Sequence, residues 1–327
     1  MRGPAVAWHG WSLERFGYGL RANALRPASS EPRVRSPSVA LMYHGVLDRP
    51  RRTYDVSLAA FDRQLLAMST RRVVSLSRLS AGESGIALTF DDGDASCVRN
   101  VAPRLRDRGW PATAFITTSF LGRPGFVARS DLNELRQAGI TIGAHGHTHR
   151  SLNQLSDAAV REELRRCKAI LEDIMGSQVV EFALPGGAGG SRERALACEA
   201  GFELIATSWP ACERRGRRRS HVPRVPLTRE TSDGEFYRVL SGSPTFYWRR
   251  QLRVASVAVA SWLLGAGRYK RYRAAILGAY PLSRSRGKGL LRRRDSALVE
   301  HHPRHGARCW FMIPRLGAAP CVAHRRE

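Results

Sequence analysis

Lysine is nearly missing from this chain: its 53 basic residues are all arginine except Lys168, Lys270 and Lys288. Acidic residues are also few, 28 in 327 positions, which leaves a formal net charge of +25. That excess favours an anionic partner such as acidic lipid or an acidic polymer, and says nothing about fold. The densest runs, Arg214 to Arg219, Arg249 to Arg253 and Arg292 to Arg294, stand away from the middle of the chain. Aromatics interleaved with basic residues at base-stacking spacing are lacking, so no nucleic acid is expected as a partner.

Paired cysteines are lacking as well. Cys97, Cys167, Cys198, Cys212, Cys309 and Cys321 lie far apart with no CxxC pair. This spacing excludes a zinc ribbon or a disulfide framework and predicts unpaired thiols in a reducing compartment. The N-terminal residues carry charge but no continuous apolar h-region, so a secretory signal is not expected. No apolar run is long enough for a bilayer span. The longest weakly polar one, Val254 to Gly267, is flanked by arginines and reads as a peripheral amphipathic helix able to touch an anionic membrane. The expected location is cytoplasmic or membrane-associated.

Residues 1–37, rich in Arg, Ser and Pro, show no sustained period and read as a poorly ordered lead-in. From Val39, strand-length apolar runs alternate with helical patterns. The strands are Val39 to His44, Ile86 to Phe90, Ala112 to Thr117, Thr141 to Ala144, Val180 to Leu184, Glu203 to Thr207 and Val222 to Val225. Helical patterns fall at Leu58 to Ser69, Val98 to Arg108, Ser130 to Ala138, Asp157 to Met175 and Arg192 to Ala200. Such alternation predicts a parallel sheet with helical crossovers, open or closed into a barrel, whose functional residues sit at the C-terminal strand ends. In the longest helix Ser156 is a cap, Gly176 a stop, and Val160, Leu164, Cys167, Leu171 and Ile174 make one apolar stripe. The boundaries are a domain at 38–230, a basic helical extension at 231–280 with one or two helices between Gly234 and Leu277, and a basic tail at 281–327 expected not to fold alone.

Two motifs carry chemistry. TFDDG, Thr89 to Gly93, puts two carboxylates at the end of an apolar strand, where they repel unless a cation or proton separates them. Capping of the next helix is the bland reading of Asp91 and Asp92. The second motif, IGAHGHTHRSL, spaces His145 and His149 four apart, which brings two imidazoles to one side of a helical turn or tight loop. His147 then points away. One carboxylate and two histidines leave open positions on a metal, as in catalytic sites, and the spare Asp91 suits a general base. The chemistry is hydrolysis of an amide or ester.

TFDDG followed downstream by H-x-x-x-H resembles the polysaccharide deacetylases of carbohydrate esterase family four, the NodB-homology domain. VALMYHGVLD, FDRQLLAMSTRRVVSLSRL, ALTFDDGDASCVRNVAPRLRDRGWPATAFITTSFLG and DLNELRQAGITIGAHGHTHRSL follow that family's order, so the resemblance covers about Val39 to Val225. It implies an irregular (β/α) barrel of seven or eight strands. It also implies Asp91 as catalytic base, a divalent metal such as zinc on Asp92, His145 and His149, and metal-bound water removing N-acetyl groups from an amino-sugar polysaccharide. The look is that of the members tied to exopolysaccharide assembly.

The departures from the family pattern are specific. The third motif, R-x-x-P-Y-G in the family, is here Phe182-Ala183-Leu184-Pro185-Gly186-Gly187, so no arginine is expected to orient Asp91, although an amide near Gly186 can face an oxyanion. The fourth reduces to Trp209 without an acid. No general acid is assigned: His221 merely precedes the last strand, His301, His302 and His305 lie in the tail, and His44 ends the first strand. Two rivals follow. A non-haem iron oxygenase also uses two histidines and a carboxylate, but on an antiparallel barrel. A catalytically degenerate barrel could instead act as a basic glycan- or membrane-binding module.

Overall fold

The computed structural model describes residues 37–187, 189–212 and 219–264. The expected lead-in, apart from Pro37, the tail at 281–327 and the far end of the basic extension lie outside them.

Seven parallel strands close into a barrel: β1 (Val39–Tyr43), β4 (Ile86–Phe90), β5 (Ala112–Ile116), β6 (Ile140–Ala144), β7 (Glu181–Ala183), β8 (Leu204–Thr207) and β9 (His221–Pro226). β9 returns to pair with β1, Met42 opposite Pro226, as Tyr43 stands opposite Phe90 of β4. This register puts every C-terminal strand end on one rim. Strands covered by helices outside and side chains inside are apolar along their whole length. Accordingly all five residues of β1, β4 and β5 are buried. All seven expected strands are present, and the seven-stranded closure meets the expected barrel. A two-strand parallel pair, β2 (Val46–Leu47) with β3 (Val56–Ser57), was not anticipated, because two-residue strands carry no period to read.

The crossovers are α1 (Leu58–Met68), α2 (Leu76–Ser80), α3 (Ala102–Arg106), α4 (Asp131–Gln137), α5 (Asp157–Met175) and α6 (Ser191–Glu199). The helix expected from Val98 begins as a π-helical turn, Cys97–Val101, ahead of Pro103, which has no N–H to donate. In α5 the Ser156 side chain accepts from the Ala159 amide and Gly176 takes φ 61°, as a cap and stop should. Ile174 packs partly buried against the core as expected, and the fully buried stripe continues to Met175. Cys97 and Cys167 are buried free thiols, whereas Cys198 is disulfide-bonded, against the expectation of unpaired thiols throughout.

After β9 come α7 (Asp233–Leu240), capped by the Ser232 side chain on the Glu235 amide, and α8 (Pro244–Leu264). No described helix is long and apolar enough to cross a membrane.

Candidate active site

The strand ends β1, β4, β6 and β9 bring the charged residues together. Asp91 leaves β4 with its amide donating to the Tyr43 carbonyl at 2.9 Å, which ties it to the end of β1. Asp92 then turns into left-handed backbone, φ 72°, a conformation costly for a residue with a Cβ. This turn aims adjacent carboxylates differently, and is why they do not simply cap a helix. His145 follows β6 directly, its amide donating to the Ile116 carbonyl at 2.9 Å. The four-residue spacing to His149 is realised in a tight loop, with Gly146 at φ 77° and His149 itself at φ 62°.

Asp92 Oδ1 lies 3.2 Å from His149 Nε2 and 3.5 Å from His145 Nε2. One ligand atom from each of the three residues falls within 4.8 Å of the others, so the triad singled out from the sequence converges. The tautomers test whether it suits a cation. His145 Nδ1 stands 2.9 Å from the Ala183 carbonyl, which can only accept, so Nδ1 carries the proton and the Nε2 lone pair faces Asp92. Asp92 Oδ1 is buried with no well-formed hydrogen bond among the described residues. Lone pairs converging on a buried oxygen repel unless a cation or proton lies between them, and these donors fit a divalent metal. Burial opposes the charge of Asp92, but the close His149 and the charges of His145 and His44 win and hold its carboxyl far below the usual range. The contact with Asp92 outweighs burial at His149 and raises its pKa, whereas at fully buried His145 burial outweighs both aspartates and lowers it.

His147 points away, as expected: its Nδ1 meets Thr118 Oγ1 at 2.9 Å. The loop is clamped from α5 by Glu163, which accepts from the His147 amide at 2.9 Å, the Thr148 amide at 2.8 Å and the Thr148 hydroxyl at 2.6 Å. Glu163 carries no motif and was missed.

The absence of an orienting arginine is corrected by the structure. Arg224, in the middle of β9 and wholly buried, donates Nη1 to Asp91 Oδ1 at 2.6 Å and Nη2 to Oδ2 at 2.8 Å. It also bonds Thr89 Oγ1 and the Thr207 carbonyl and lies over the Phe115 ring. The third motif lacks the arginine because another strand supplies it. Burial alone would raise the Asp91 pKa, but Arg224, followed by His145, holds it below the usual carboxylate value. The signal was readable, since an arginine inside the apolar strand VPRV must find a buried carboxylate.

His44, directly after β1, favours the ionised form of both aspartates, lies against the tilted Tyr54 ring with centroids 5.0 Å apart, and has its Nδ1 buried with no hydrogen-bond partner among the described residues. His221 begins β9 and so stands at the opposite end of the barrel, away from the chemistry. Trp209, just past β8, is 40% exposed.

Residues 79–205 match the family model for polysaccharide deacetylase. Through this segment the barrel is similar to polysaccharide deacetylases. A candidate polysaccharide deacetylase, YxkH of Bacillus subtilis, is 24% identical over 154 residues, which are 47% of this chain and 55% of that protein. The chain thus spans little more than half the length of that relative. Among solved structures, the Streptococcus pyogenes deacetylase PplD in complex with acetate aligns with TM-score 0.57 and 18% identity, over 62% of this chain and 98% of that one. IcaB from Ammonifex degensii aligns with TM-score 0.53 and 26% identity, over 60% and 94%. The matched segment contains both the TFDDG and the IGAHGHTHRSL motifs.

Proposed function

We propose that this domain is a deacetylase that removes N-acetyl groups from an amino-sugar polysaccharide, with zinc on Asp92, His145 and His149 and with Asp91 as general base. The observation that carries the reading is the division of labour between adjacent carboxylates. Asp92 faces two imidazole nitrogens, while Asp91, 3.9 Å from His145 Nε2, is gripped by an arginine. Asp92, His145 and His149 would hold the zinc, which when bound would supply Lewis-acid polarisation of the acetamide carbonyl and a more acidic water near neutral pH.

The chain's own residues do the rest. Arg224 keeps Asp91 ionised and fixes its plane, and each carboxylate oxygen retains a lone pair beyond the one Arg224 uses. Asp91 can thus take the proton of the attacking water as the oxygen adds to the carbonyl carbon. The amide of Gly187 is used on the Leu184 carbonyl at 2.9 Å, so an oxyanion donor in this turn would have to come from another amide, such as that of Gly186. As the C–N bond breaks, the departing nitrogen needs a proton. His44, beside both aspartates on the neighbouring strand end, is the residue placed to give it. A binding module has no use for a buried, bidentate Arg224–Asp91 pair, whose desolvation is costly.

The test is acetate release from N-acetylated chitin-like and peptidoglycan-derived oligosaccharides by the zinc-reconstituted full chain. Asp91→Asn should retain zinc and lose acetate release, whereas His149→Ala should lose both. Wild-type protein with full zinc occupancy and no acetate from any N-acetylated glycan overturns the proposal.

A further inference from the structure

We propose that the stretch of α8 from Trp248 to Ser256 docks on an anionic lipid bilayer and holds the barrel mouth beside it. The start of the helix belongs to the folded domain. Tyr247 is buried and its hydroxyl donates to the Val239 carbonyl at 3.0 Å. One turn later α8 reaches the active-site rim. Arg250 Nη1 donates to the carbonyl of Pro226, the last residue of β9, at 3.2 Å, and Gln251 Nε2 to the Pro210 carbonyl beyond β8 at 2.9 Å.

From there the helix stops packing. Leu252 to Ser256 are all exposed, so in this stretch no side of the helix faces a core. Yet the exposed residues are large and apolar: Trp248 is 61% exposed, Leu252 49% and Val254 39%. Trp248, Leu252 and Ala255 share one face by their spacing of four and three, and Arg249 and Arg253, both exposed, flank it. No charged residue occurs in the sequence between Arg253 and Arg268. Tryptophan and leucine on one face with arginines beside them is the pattern of a helix lying in the headgroup region, indole and aliphatic carbon below, guanidinium at the phosphates.

Charge decides the occupant. A second copy of a chain carrying +25 would be repelled from an arginine-flanked face, whereas an anionic leaflet is attracted to it. The two rim contacts then fix the consequence. Docking through Leu252 and its neighbours presents the C-terminal strand ends to glycan at the membrane surface. This inference stands whether or not the deacetylase reading is right.

The experiment is co-sedimentation of the full chain with phosphatidylcholine vesicles, with and without phosphatidylglycerol. Wild-type protein should bind the anionic vesicles and be released by salt. Trp248→Ser/Leu252→Ser should weaken binding by about tenfold or more, and Arg249→Ser/Arg253→Ser by about fivefold per arginine. Circular dichroism and melting should match the wild type in both variants. Three results overturn the proposal: no vesicle binding by wild-type protein, binding that ignores either pair of substitutions, or a dimer in sedimentation that the Trp248/Leu252 variant abolishes.

Discussion

Arg224 and the arginines of α8 are chemically identical and do opposite things. Arg224 is wholly buried, with its guanidinium bonded to Asp91, Thr89 and the Thr207 carbonyl and lying over the Phe115 ring. Arg249 and Arg253 are exposed on a helix that also exposes Trp248 and Leu252. Composition weights all of them equally, so an excess of arginine identifies a partner only after location separates buried from exposed. A buried arginine sets the charge of one carboxylate. An exposed one contributes to a diffuse field that salt screens.

The comparison breaks most visibly at Arg224. Arg224→Met should cost about 3–5 kcal/mol of stability, because it leaves Asp91 buried and unpaired, and should remove acetate release. The pH dependence should invert in metal-free protein. In the wild type the Asp91 pKa lies below its ordinary 3.8, so the pair stabilises fully above that value and loses its contribution as pH falls through the lower, folded-state pKa. In Arg224→Met burial is no longer opposed by the guanidinium and the pKa rises. The penalty is then relieved as pH falls through the raised value, so acidification should narrow the gap between the two proteins. Urea midpoints at neutral and mildly acidic pH measure it. Equal gaps at both would mean that Arg224 does not govern Asp91.

Much of this molecule was legible before its coordinates. The seven strands were readable because each is a short, mostly apolar run between glycine or polar stops, buried along nearly all of its length. Asp91, Asp92, His145 and His149 were readable because titratable residues cluster at two strand ends. Arg224 was overlooked because it stands far from Asp91 in sequence, and only the closure of β9 onto β1 brings them together. Glu163 was less visible still. Its bonds run to backbone amides, which have no sequence identity, and on α5 it looks like any helix-surface carboxylate. The exposure of α8 follows from where the chain passes the rim, not from its local pattern.

Glu163 sharpens the comparison from an intermediate position, partly exposed and bound to three donors. Glu163→Gln keeps the size but exchanges charge-assisted acceptors for one neutral carbonyl, so the loop holding His149 should loosen. Zinc affinity should fall about tenfold, the low end for groups that orient metal ligands. Competition with a zinc chelator reads this directly. An unchanged affinity would mean that the left-handed backbone at His149 fixes the ligand without help from α5.

The smallest effect lies on α8, where neighbouring arginines form an internal control. Arg250 is mostly covered, bonds the Pro226 carbonyl, pairs with Glu235 and lies over Phe246. Arg250→Ser should therefore cost about 1 kcal/mol, roughly the worth of one charge-assisted bond after solvent competition. Arg249→Ser and Arg253→Ser remove no contact of that kind and should stay within about 0.5 kcal/mol of wild type, with acetate release from soluble oligosaccharides unchanged. Melting curves of the three single variants settle the order. Should all three destabilise alike, the stretch Leu252 to Ser256 is held by the rest of the chain, and the distinction between anchored and free arginines fails at this helix.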